Sequence, residues 1–365
     1  MADPLGNPLD AASLRARVQE RVDLLLRDQA TVLEEVGPAV DDLLAAISRL
    51  LSGGKRLRAA FLYWGARAAG EPDSPALITL ATSMELFQAA ALIHDDVMDD
   101  SDTRRGMPSA HRSLAARHEG AGWQGDAGRF GVAGAILAGN LCLNWTDELY
   151  STCGLGAEQL ARSRWVFDTM RTQLMGGQYL DVVESARSWT GLTTAERLER
   201  AHQVIRYKSA KYTIEHPLLI GATAGGAGSE DLEALSRYGL DLGHAFQLRD
   251  DLLGVFGDPV ATGKPAGDDL REGKRTVLIA HALAGAEPDD ATALEELLGR
   301  PDLGPREVER LRDIITGAGA VDAVESEIAH LAGAARLALK STNLLDPAAL
   351  DVLDRLIDTA TARTA

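Results

Sequence analysis

Leucine and alanine recur at intervals of three and four residues along nearly the whole chain, whereas runs that alternate β-branched and polar residues are almost absent. This spacing places apolar side chains on one face of an α-helix, and it predicts an all-α fold. Clusters of glycine, proline and aspartate separate the helices. The predicted helices lie at residues 10–30, 38–51, 56–70, 75–100, 126–150, 157–187, 194–224, 229–255, 275–285, 304–316, 319–341 and 347–362.

The domain organisation follows from the same pattern, although a length of 365 residues alone would allow two domains. No change in composition marks a linker, and residues 79–95 and 240–256 are apolar around most of the helix circumference. Such helices are typical of positions surrounded by other helices. We therefore predict one large helical domain over residues 31–365, preceded by an N-terminal extension and first helix over residues 1–30.

Charge and cysteine content exclude several classes of function. A formal net charge of −17 disfavours non-specific binding of nucleic acid or of an anionic membrane, so an anionic ligand must meet local basic clusters. Cys142 and Cys153 cannot build a disulfide framework or a four-cysteine zinc site, which favours a reducing cytoplasm. The N-terminal segment does not read as a secretory signal, and no uncharged apolar run is long enough to predict a membrane span.

A first acidic motif, LIHDDVMDDSDTRRG, ends an apolar helix, where the helix dipole disfavours negative charge. Asp95 and Asp99 are four residues apart and therefore share a helix face. At a separation of about 6 Å and an effective dielectric constant of about 20, their repulsion is about 3 kcal/mol, so a cation should compensate it. Mg²⁺ prefers such oxygen ligands. The alternative is a solvated helix end neutralised by Arg104 and Arg105.

A second acidic motif, FQLRDDLLGVFGD, places Asp250 and Asp251 after another apolar helical run. Two such helices facing each other would line a cavity with carboxylates, able to hold several Mg²⁺ ions and a polyphosphate. Basic clusters near these motifs include GGKRLR, whose two glycines allow close approach of the backbone to an anion. The basic residues of these clusters are Lys55, Arg56, Arg58, Arg104, Arg105, Lys208, Lys211, Lys264 and Lys274.

Four segments, in the order GGKRLR, LIHDDVMDDSDTRRG, YKSAKYT and FQLRDDLLGVFGDPVATGKPAGDDLREGKRT, resemble the trans-polyprenyl diphosphate synthases. The resemblance covers roughly residues 35–280 and is to short-chain members of the actinobacterial type that make geranylgeranyl or farnesyl diphosphate. It implies an isoprenoid-synthase fold with a central helix-lined cavity, a homodimer, and about three Mg²⁺ ions with bound diphosphate. Both substrates are then diphosphates, one of isopentenyl alcohol and one allylic.

The resemblance also implies roles for individual residues. Asp95, Asp99 and Asp250 match the Mg²⁺ ligands, and Asp96 supports them. The positions that match the isopentenyl diphosphate site are Lys55, Arg58, Gln88 and Arg105, and those that match the allylic diphosphate site are Arg104, Lys208, Ser209, Gln247 and Lys264. His111 matches a family histidine. Gly254 stands where the second motif usually has its last aspartate, so restoring Asp there should lower the Mg²⁺ requirement.

Product length is predicted from the helix that ends at Asp95. Ala90 and Ala91 are too small to stop a fifteen-carbon chain, whereas Phe87 lies about one isoprene unit further along the helix. These residues predict geranylgeranyl diphosphate as the main product, with farnesyl diphosphate or a longer polyprenyl diphosphate as alternatives. The alternative for Phe87 is an ordinary core aromatic that faces a neighbouring helix.

Two other functions remain open on the sequence alone. A class I terpene cyclase shares the helical fold and the first acidic motif, but it should lack a second diphosphate site such as GGKRLR with Arg105. A non-catalytic subunit that binds a prenyl diphosphate typically loses one acidic motif, and both are present here apart from Gly254.

Overall fold

The computed structural model describes residues 7–258, 267–300 and 302–362 and confirms the all-α fold. The described strands are limited to one antiparallel pair, β1 and β2. Short 3₁₀ turns at Pro8–Ser13 and Pro38–Val40 precede α1 and α2. In chain order the elements are α1 Leu14–Glu34, α2 Asp41–Leu51, α3 Leu57–Ala68, α4 Pro75–Met98, β1 Thr103–Arg104, β2 Met107–Pro108, α5 Ala110–Gly120, α6 Ala127–Ser151, α7 Ala157–Ala186, α8 Thr194–Val204, a π-helix Ile205–Glu215, α9 His216–Ala224, α10 Ser229–Phe256, α11 Asp268–Arg271, α12 Val277–Gly285, α13 Pro288–Leu297, α14 Pro305–Gly317, α15 Ala320–Lys340 and α16 Pro347–Thr361.

Every predicted helix is present, and most bounds agree within a few residues. The sequence analysis missed α5, α11 and α13, because their local apolar periodicity is weak. In α5 the buried side chains are His111, Leu114 and His118, two of which are polar. The single helix predicted over 194–224 consists of α8, the π-helix and α9 in succession. The spacing of apolar residues did not indicate the π-helix.

Contacts divide the chain into two compact units. The first consists of Met1–Trp165, Pro217–Ala227 and Leu344–Leu353. Its core includes a cluster from α1, α2, α4 and α6, in which Leu86, Ala90 and Ile93 of α4 pack with Ala138 and Trp145 of α6. This packing fixes the position of the end of α4, where the first acidic motif begins.

The second unit consists of Val166–His216, Gly228–Asn343 and Asp354–Ala365. Its main core cluster combines the buried faces of α10, α12, α14 and α15, with Leu248, Leu278, Leu311 and Val324 among its members. Ala210 of the π-helix belongs to the same cluster and is completely buried. The helix that carries the second acidic motif and the π-helix are therefore anchored in one core.

Helix α4 is the one described helix that is long and apolar enough to cross a membrane by length and composition. However, 83% of its most apolar window is buried inside the protein. Its internal charge, Glu85, is buried, lies 3.3 Å from the Arg56 guanidinium and accepts the N–H of Ala59 at 3.1 Å. These contacts are those of a core helix.

Candidate active site

The first acidic motif lies at the C-terminal end of α4, as the sequence predicts. Asp99 caps the helix and donates its N–H to the carbonyl of Asp95 at 2.8 Å, so the two aspartates are one helical turn apart. The Asp95 side chain is 17% exposed, whereas that of Asp96 is 3% exposed. The two adjacent carboxylates therefore differ in their surroundings, since that of Asp95 is accessible and that of Asp96 is buried.

A tight hairpin positions the two arginines that follow the motif. Thr103 pairs with Pro108 and Arg104 with Met107, which leaves Arg105 and Gly106 as a two-residue turn. Both turn residues have positive φ, at 56° and 73°, which is the conformation of the turn that matches strand twist. Arg104 donates two hydrogen bonds to Asp96, one of them from Nε at 2.8 Å, and its Nη2 lies 3.8 Å from Asp95.

Arg105 contacts a different part of the same unit. Its Nη1 donates to the carbonyls of Leu50 at 2.9 Å and Gly53 at 3.0 Å. The guanidinium passes so close to Gly54, which has φ of +120°, that a Cβ there would lie 3.1 Å from Nη2. Of the two arginines that could neutralise the acidic motif, only Arg104 does so, because Arg105 lies against GGKRLR.

The surroundings of Arg105 are strongly positive. Desolvation lowers the pKa of its guanidinium below the usual value, and the charges of Arg56, Arg104 and Arg58 lower it further, while Glu85 opposes them. An anion near these groups would relieve their mutual repulsion. Lys55 is exposed and Arg58 is partly buried in the same segment, and the Arg58 charge is one of those that act on Arg105. That these residues bind isopentenyl diphosphate stays a prediction.

Arg56, between Lys55 and Arg58, is instead buried and pairs with a charge inside the protein. It is 4% exposed, adopts φ of 54°, and donates to Gln19 at 2.6 Å in addition to its ion pair with Glu85. Sequence analysis grouped Arg56 with the other basic residues of the clusters and did not identify Glu85. No local spacing signals this pair, since Arg56 precedes α3 and Glu85 lies in α4, 29 residues further along the chain.

The remaining predicted residues of the first unit lie on α4 and α5. Gln88 is partly buried, and Phe87 and Ala91 are 1% and 7% exposed. Phe87, Ala91 and Asp95 are spaced by four residues and share a helix face. Ala90 lies instead in the core cluster with α6. His111 is buried, and burial lowers its pKa below the usual value.

In the second unit, Lys208 and Ser209 lie in the π-helix. The Lys208 Nζ forms an ion pair of 2.5 Å with Asp181 of α7. Asp181 was not found by sequence analysis, because the pair joins positions 27 residues apart on separate helices. Ser209 is 6% exposed. Lys264 lies outside the described residues.

The second acidic motif separates an exposed aspartate from a buried one. Asp250 is exposed on α10, whereas Asp251 is 6% exposed and accepts a hydrogen bond of 2.8 Å from the Gln247 amide. Burial raises the pKa of Asp251 to about 8, and the charges of Asp269 and Asp250 act in the same direction. The hydrogen bond from Gln247 acts in the opposite direction and lowers this pKa. Asp250 is therefore the accessible oxygen donor of this adjacent pair.

Gly254 has a specific neighbour. A Cβ added there would lie 1.8 Å from Oδ2 of Asp269, so the Asp269 carboxylate fills the space that a side chain at this position would need. Asp269 is held by Lys274 at 2.9 Å. This arrangement revises the expectation that restoring an aspartate at 254 improves metal binding, because the space is already taken by a carboxylate.

We expect Gly254→Asp to destabilise the protein by about 1–3 kcal/mol, the usual effect of inserting atoms into a filled space. Urea denaturation in metal-free buffer measures this loss. The double variant Gly254→Asp/Asp269→Gly moves the carboxylate from one position to the other and should recover most of the stability. Wild-type stability of the single variant would contradict the predicted overlap.

The carboxylates fit a magnesium site of the usual kind, in which the protein supplies few ligands. Among the described residues, no three His, Cys, Asp or Glu side chains lie together as a metal cage. Mg²⁺ is commonly held by one or two carboxylates, with waters and substrate phosphates as its other ligands. Within the first unit Asp95 and Asp99 provide two such oxygen donors, and within the second unit Asp250 provides one.

Comparison with known proteins identifies several similar chains. The profile of the family described as polyprenyl synthetase matches residues 40–315. A geranylfarnesyl diphosphate synthase from Aeropyrum pernix is 33% identical over 318 residues, which cover 86% of this chain and 92% of that protein. A geranylgeranyl diphosphate synthase from Methanosarcina mazei is 32% identical over 302 residues, covering 80% and 84% respectively.

A crystal structure shows the same fold. Geranylgeranyl pyrophosphate synthase from Corynebacterium glutamicum, complexed with isoprenyl diphosphate and magnesium, superposes with a TM-score of 0.90 at 39% identity. The superposition covers 96% of this chain and 98% of that chain. The agreement extends over almost the whole length of both proteins.

Proposed function

The chain belongs to the polyprenyl synthetase family and is a prenyl diphosphate synthase, and from this we propose that it condenses isopentenyl diphosphate with allylic diphosphates in a Mg²⁺-dependent reaction. The proposed allylic substrates are the diphosphates of dimethylallyl, geranyl and farnesyl alcohols. The proposed main product is geranylgeranyl diphosphate, and the named activities of the Corynebacterium and Methanosarcina relatives support it. The Aeropyrum relative supports a longer product as the alternative.

The observation that carries this proposal is that the neighbouring residues Arg104 and Arg105 contact different groups. One hairpin places Arg104 on the carboxylates of the first acidic motif and Arg105 beside the Gly53–Gly54 segment. Adjacent residues thus contact two separate groups, the carboxylates that we propose to bind metal and the cationic group beside GGKRLR. Two such groups are what a reaction between two diphosphates requires.

The proposed metal ligands are Asp95 and Asp99 for the first motif and Asp250 for the second. Mg²⁺ bound at these carboxylates would draw negative charge from the allylic diphosphate and so make it a better leaving group. Asp96 does not need to be a ligand. Its buried carboxylate holds the Arg104 guanidinium in place beside Asp95.

The chain's other residues bind and orient the substrates. Lys208 and Arg104 are proposed to stabilise the allylic diphosphate as the carbon–oxygen bond breaks and its electron pair remains on the diphosphate. The isopentenyl double bond then forms the new carbon–carbon bond with the allylic cation. The carbocation that this step forms loses a proton to the departing diphosphate and becomes the product, so no protein base is required and no serine, cysteine or histidine nucleophile takes part.

A turnover assay of the purified chain with labelled isopentenyl diphosphate, an allylic starter and Mg²⁺ tests the proposal. A linear prenyl diphosphate is the expected product. A cyclic hydrocarbon would indicate a terpene cyclase, and binding of the starter without product would indicate a non-catalytic subunit. Omission of Mg²⁺ with added chelator should abolish product formation.

The chain-length proposal rests on Phe87, which shares the Asp95 face of α4 and is 1% exposed. Ala91, between them on that face, is proposed to be too small to block a growing chain, whereas Ala90 belongs to the core cluster with α6. Phe87 is about two helical turns, or about 12 Å, from Asp95. The proposed product length reflects the point at which this ring blocks further elongation.

We expect Phe87→Ala to release products longer than those of the wild type, because the variant removes the proposed block. Chromatography of dephosphorylated products measures the distribution. Leu86→Ala is the matched control, since Leu86 is fully buried in the core cluster facing α6 and its truncation should leave product length unchanged. An unchanged distribution for Phe87→Ala would make this residue an ordinary core aromatic.

We also propose a homodimer in the cytoplasm. Helix α6 exposes Phe130, Ile136 and Leu137 at 38%, 43% and 55%, an apolar set that a second copy of the chain would cover. Twofold dimers are the commonest assembly of such chains. Cys142 and Cys153 are both free thiols, which supports a reducing compartment. Light scattering of the purified protein tests the dimer.

A further inference from the structure

The helical segment Ile205–Glu215 has π geometry over 11 residues. At its end the N–H of His216 donates to the carbonyl of Lys211, five residues earlier. Most π segments are single turns and often occur at functional sites, so one of this length needs support from its neighbours. This one carries Lys208 and Ser209, two of the residues predicted to bind the allylic diphosphate.

Three glycines of neighbouring helices contact the backbone of this π-helix. A Cβ on Gly177 of α7 would lie 2.3 Å from the carbonyl carbon of Tyr207 and 2.5 Å from the amide nitrogen of Lys208. A Cβ on Gly243 of α10 would lie 2.6 Å from Cα of Ala210. A Cβ on Gly239 of α10 would lie 2.6 Å from Cα of Glu215. The atoms met are mainly backbone, which cannot rotate out of the way as a side-chain end can.

Helix α7 holds Lys208 at two points. Gly177 lies against its backbone, and Asp181, one turn further along α7, binds its Nζ at 2.5 Å. The two α7 residues are four apart and therefore share the face that meets the π-helix. Ala210 is completely buried and Ser209 is 6% exposed, so the π-helix is also enclosed by the core.

We infer that Gly177 is a positioning residue for the allylic diphosphate. Because Gly177 has no side chain, the backbone of Tyr207 and Lys208 can lie directly against α7. Gly243 and Gly239 support the same segment further from Lys208. The inference rests on the proposed function, because it concerns one of the two substrates of that reaction. It adds a specific consequence, namely that a single methyl group on α7 disturbs the allylic substrate and spares isopentenyl diphosphate.

The test compares Gly177→Ala with Gly176→Ala. A Cβ on Gly176 meets nothing within 4 Å, so the two variants add the same methyl group to adjacent positions of one helix. We expect Gly177→Ala to raise KM for the allylic diphosphate by about 10- to 100-fold, the usual result of displacing a binding group by a fraction of an ångström to 1 Å. KM for isopentenyl diphosphate should stay within about 2-fold, and Gly176→Ala should match the wild type for both substrates.

A direct binding measurement accompanies the kinetics. The probe is geranyl diphosphate with sulfur in place of the bridging oxygen, which binds without ionising, and calorimetry gives its Kd. Gly177→Ala should weaken this binding by the same factor as it raises the allylic KM. Equal binding of the probe by Gly177→Ala and Gly176→Ala would overturn the inference.

A graded series separates positioning from a loss of stability. Gly243→Ala and Gly239→Ala add comparable overlaps, but the atoms they meet are two and seven residues from Lys208. If the glycines position Lys208, the effect on allylic binding should be larger for Gly243→Ala than for Gly239→Ala at similar Tm. If allylic binding instead follows Tm, the inference is wrong, and this comparison remains decisive even if Gly177→Ala does not fold.

The experiment also distinguishes this inference from the proposed function. Absence of prenyl transfer by both the wild type and Gly176→Ala would reject the proposed function itself. Prenyl transfer by both, with equal rises of the two KM values in Gly177→Ala, would reject only the positioning role.

Discussion

Replacing Asp95 or Asp99 by alanine is expected to lower kcat by at least about 100-fold, comparable with the loss of one stabilising group from an electrostatic site. Each change removes an oxygen donor from the end of α4, at the point where the proposed metal would meet the allylic diphosphate. Steady-state kinetics at saturating substrates and Mg²⁺ measure the loss. The fold should survive, because Asp95 and Asp99 are partly exposed and lie at a helix end.

Asp100→Asn provides the matched control within the same acidic run. The Asp100 side chain is 78% exposed, pairs with Arg112 at 3.0 Å and has φ of 52°, which asparagine tolerates. Its kcat should remain within about 2-fold of the wild type, since a surface ion pair contributes little. Near wild-type turnover of Asp95→Ala or Asp99→Ala at saturating Mg²⁺ would refute the assignment of the first motif.

The second large effect separates the two substrates. Lys55→Ala or Arg58→Ala should raise KM for isopentenyl diphosphate by about 10- to 150-fold, which corresponds to the loss of about 1.5–3 kcal/mol for a hydrogen bond to a charged group. Lys208→Ala should raise KM for the allylic diphosphate by a similar factor. Kinetics in which one substrate is varied while the other saturates give both values.

Arg112→Ala controls for the loss of a positive charge. Arg112 forms ion pairs with Asp100 and Asp102 on the surface, and its removal should change neither KM by more than about 2-fold. Arg56→Ala, unlike Arg112→Ala, should lower the stability of the protein, because it leaves the buried Glu85 without its cation. If the Lys55 and Lys208 variants affect the same substrate, the division into two diphosphate sites fails.

Helix positions were predictable because apolar residues at three- and four-residue spacing report burial directly. The exceptions show the limit of that signal. In α5 two of the three buried side chains are histidines, and in α13 only Ala293 and Leu294 are buried. Such helices form because neighbouring helices pack against them, and local sequence contains little record of those neighbours.

The sequence by itself determined which residue types are available for the chemistry and where they lie along the chain. The aspartates of both acidic motifs and the basic residues of GGKRLR follow from helix period and charge pattern, and the resemblance of these motifs to known ones indicated the family. These properties are local, since residues four apart meet on any α-helix.

Only the tertiary structure decided which groups these residues contact, including residues that are neighbours in the sequence. Arg104 binds Asp96 while Arg105 lies against Gly53 and Gly54. Asp269 fills the space beside Gly254, and Gly177 lies against the backbone of Lys208. Each of these contacts joins residues at least eight positions apart, and most join separate elements. Helix packing sets such distances, and the repeat of a single helix contains no information about them.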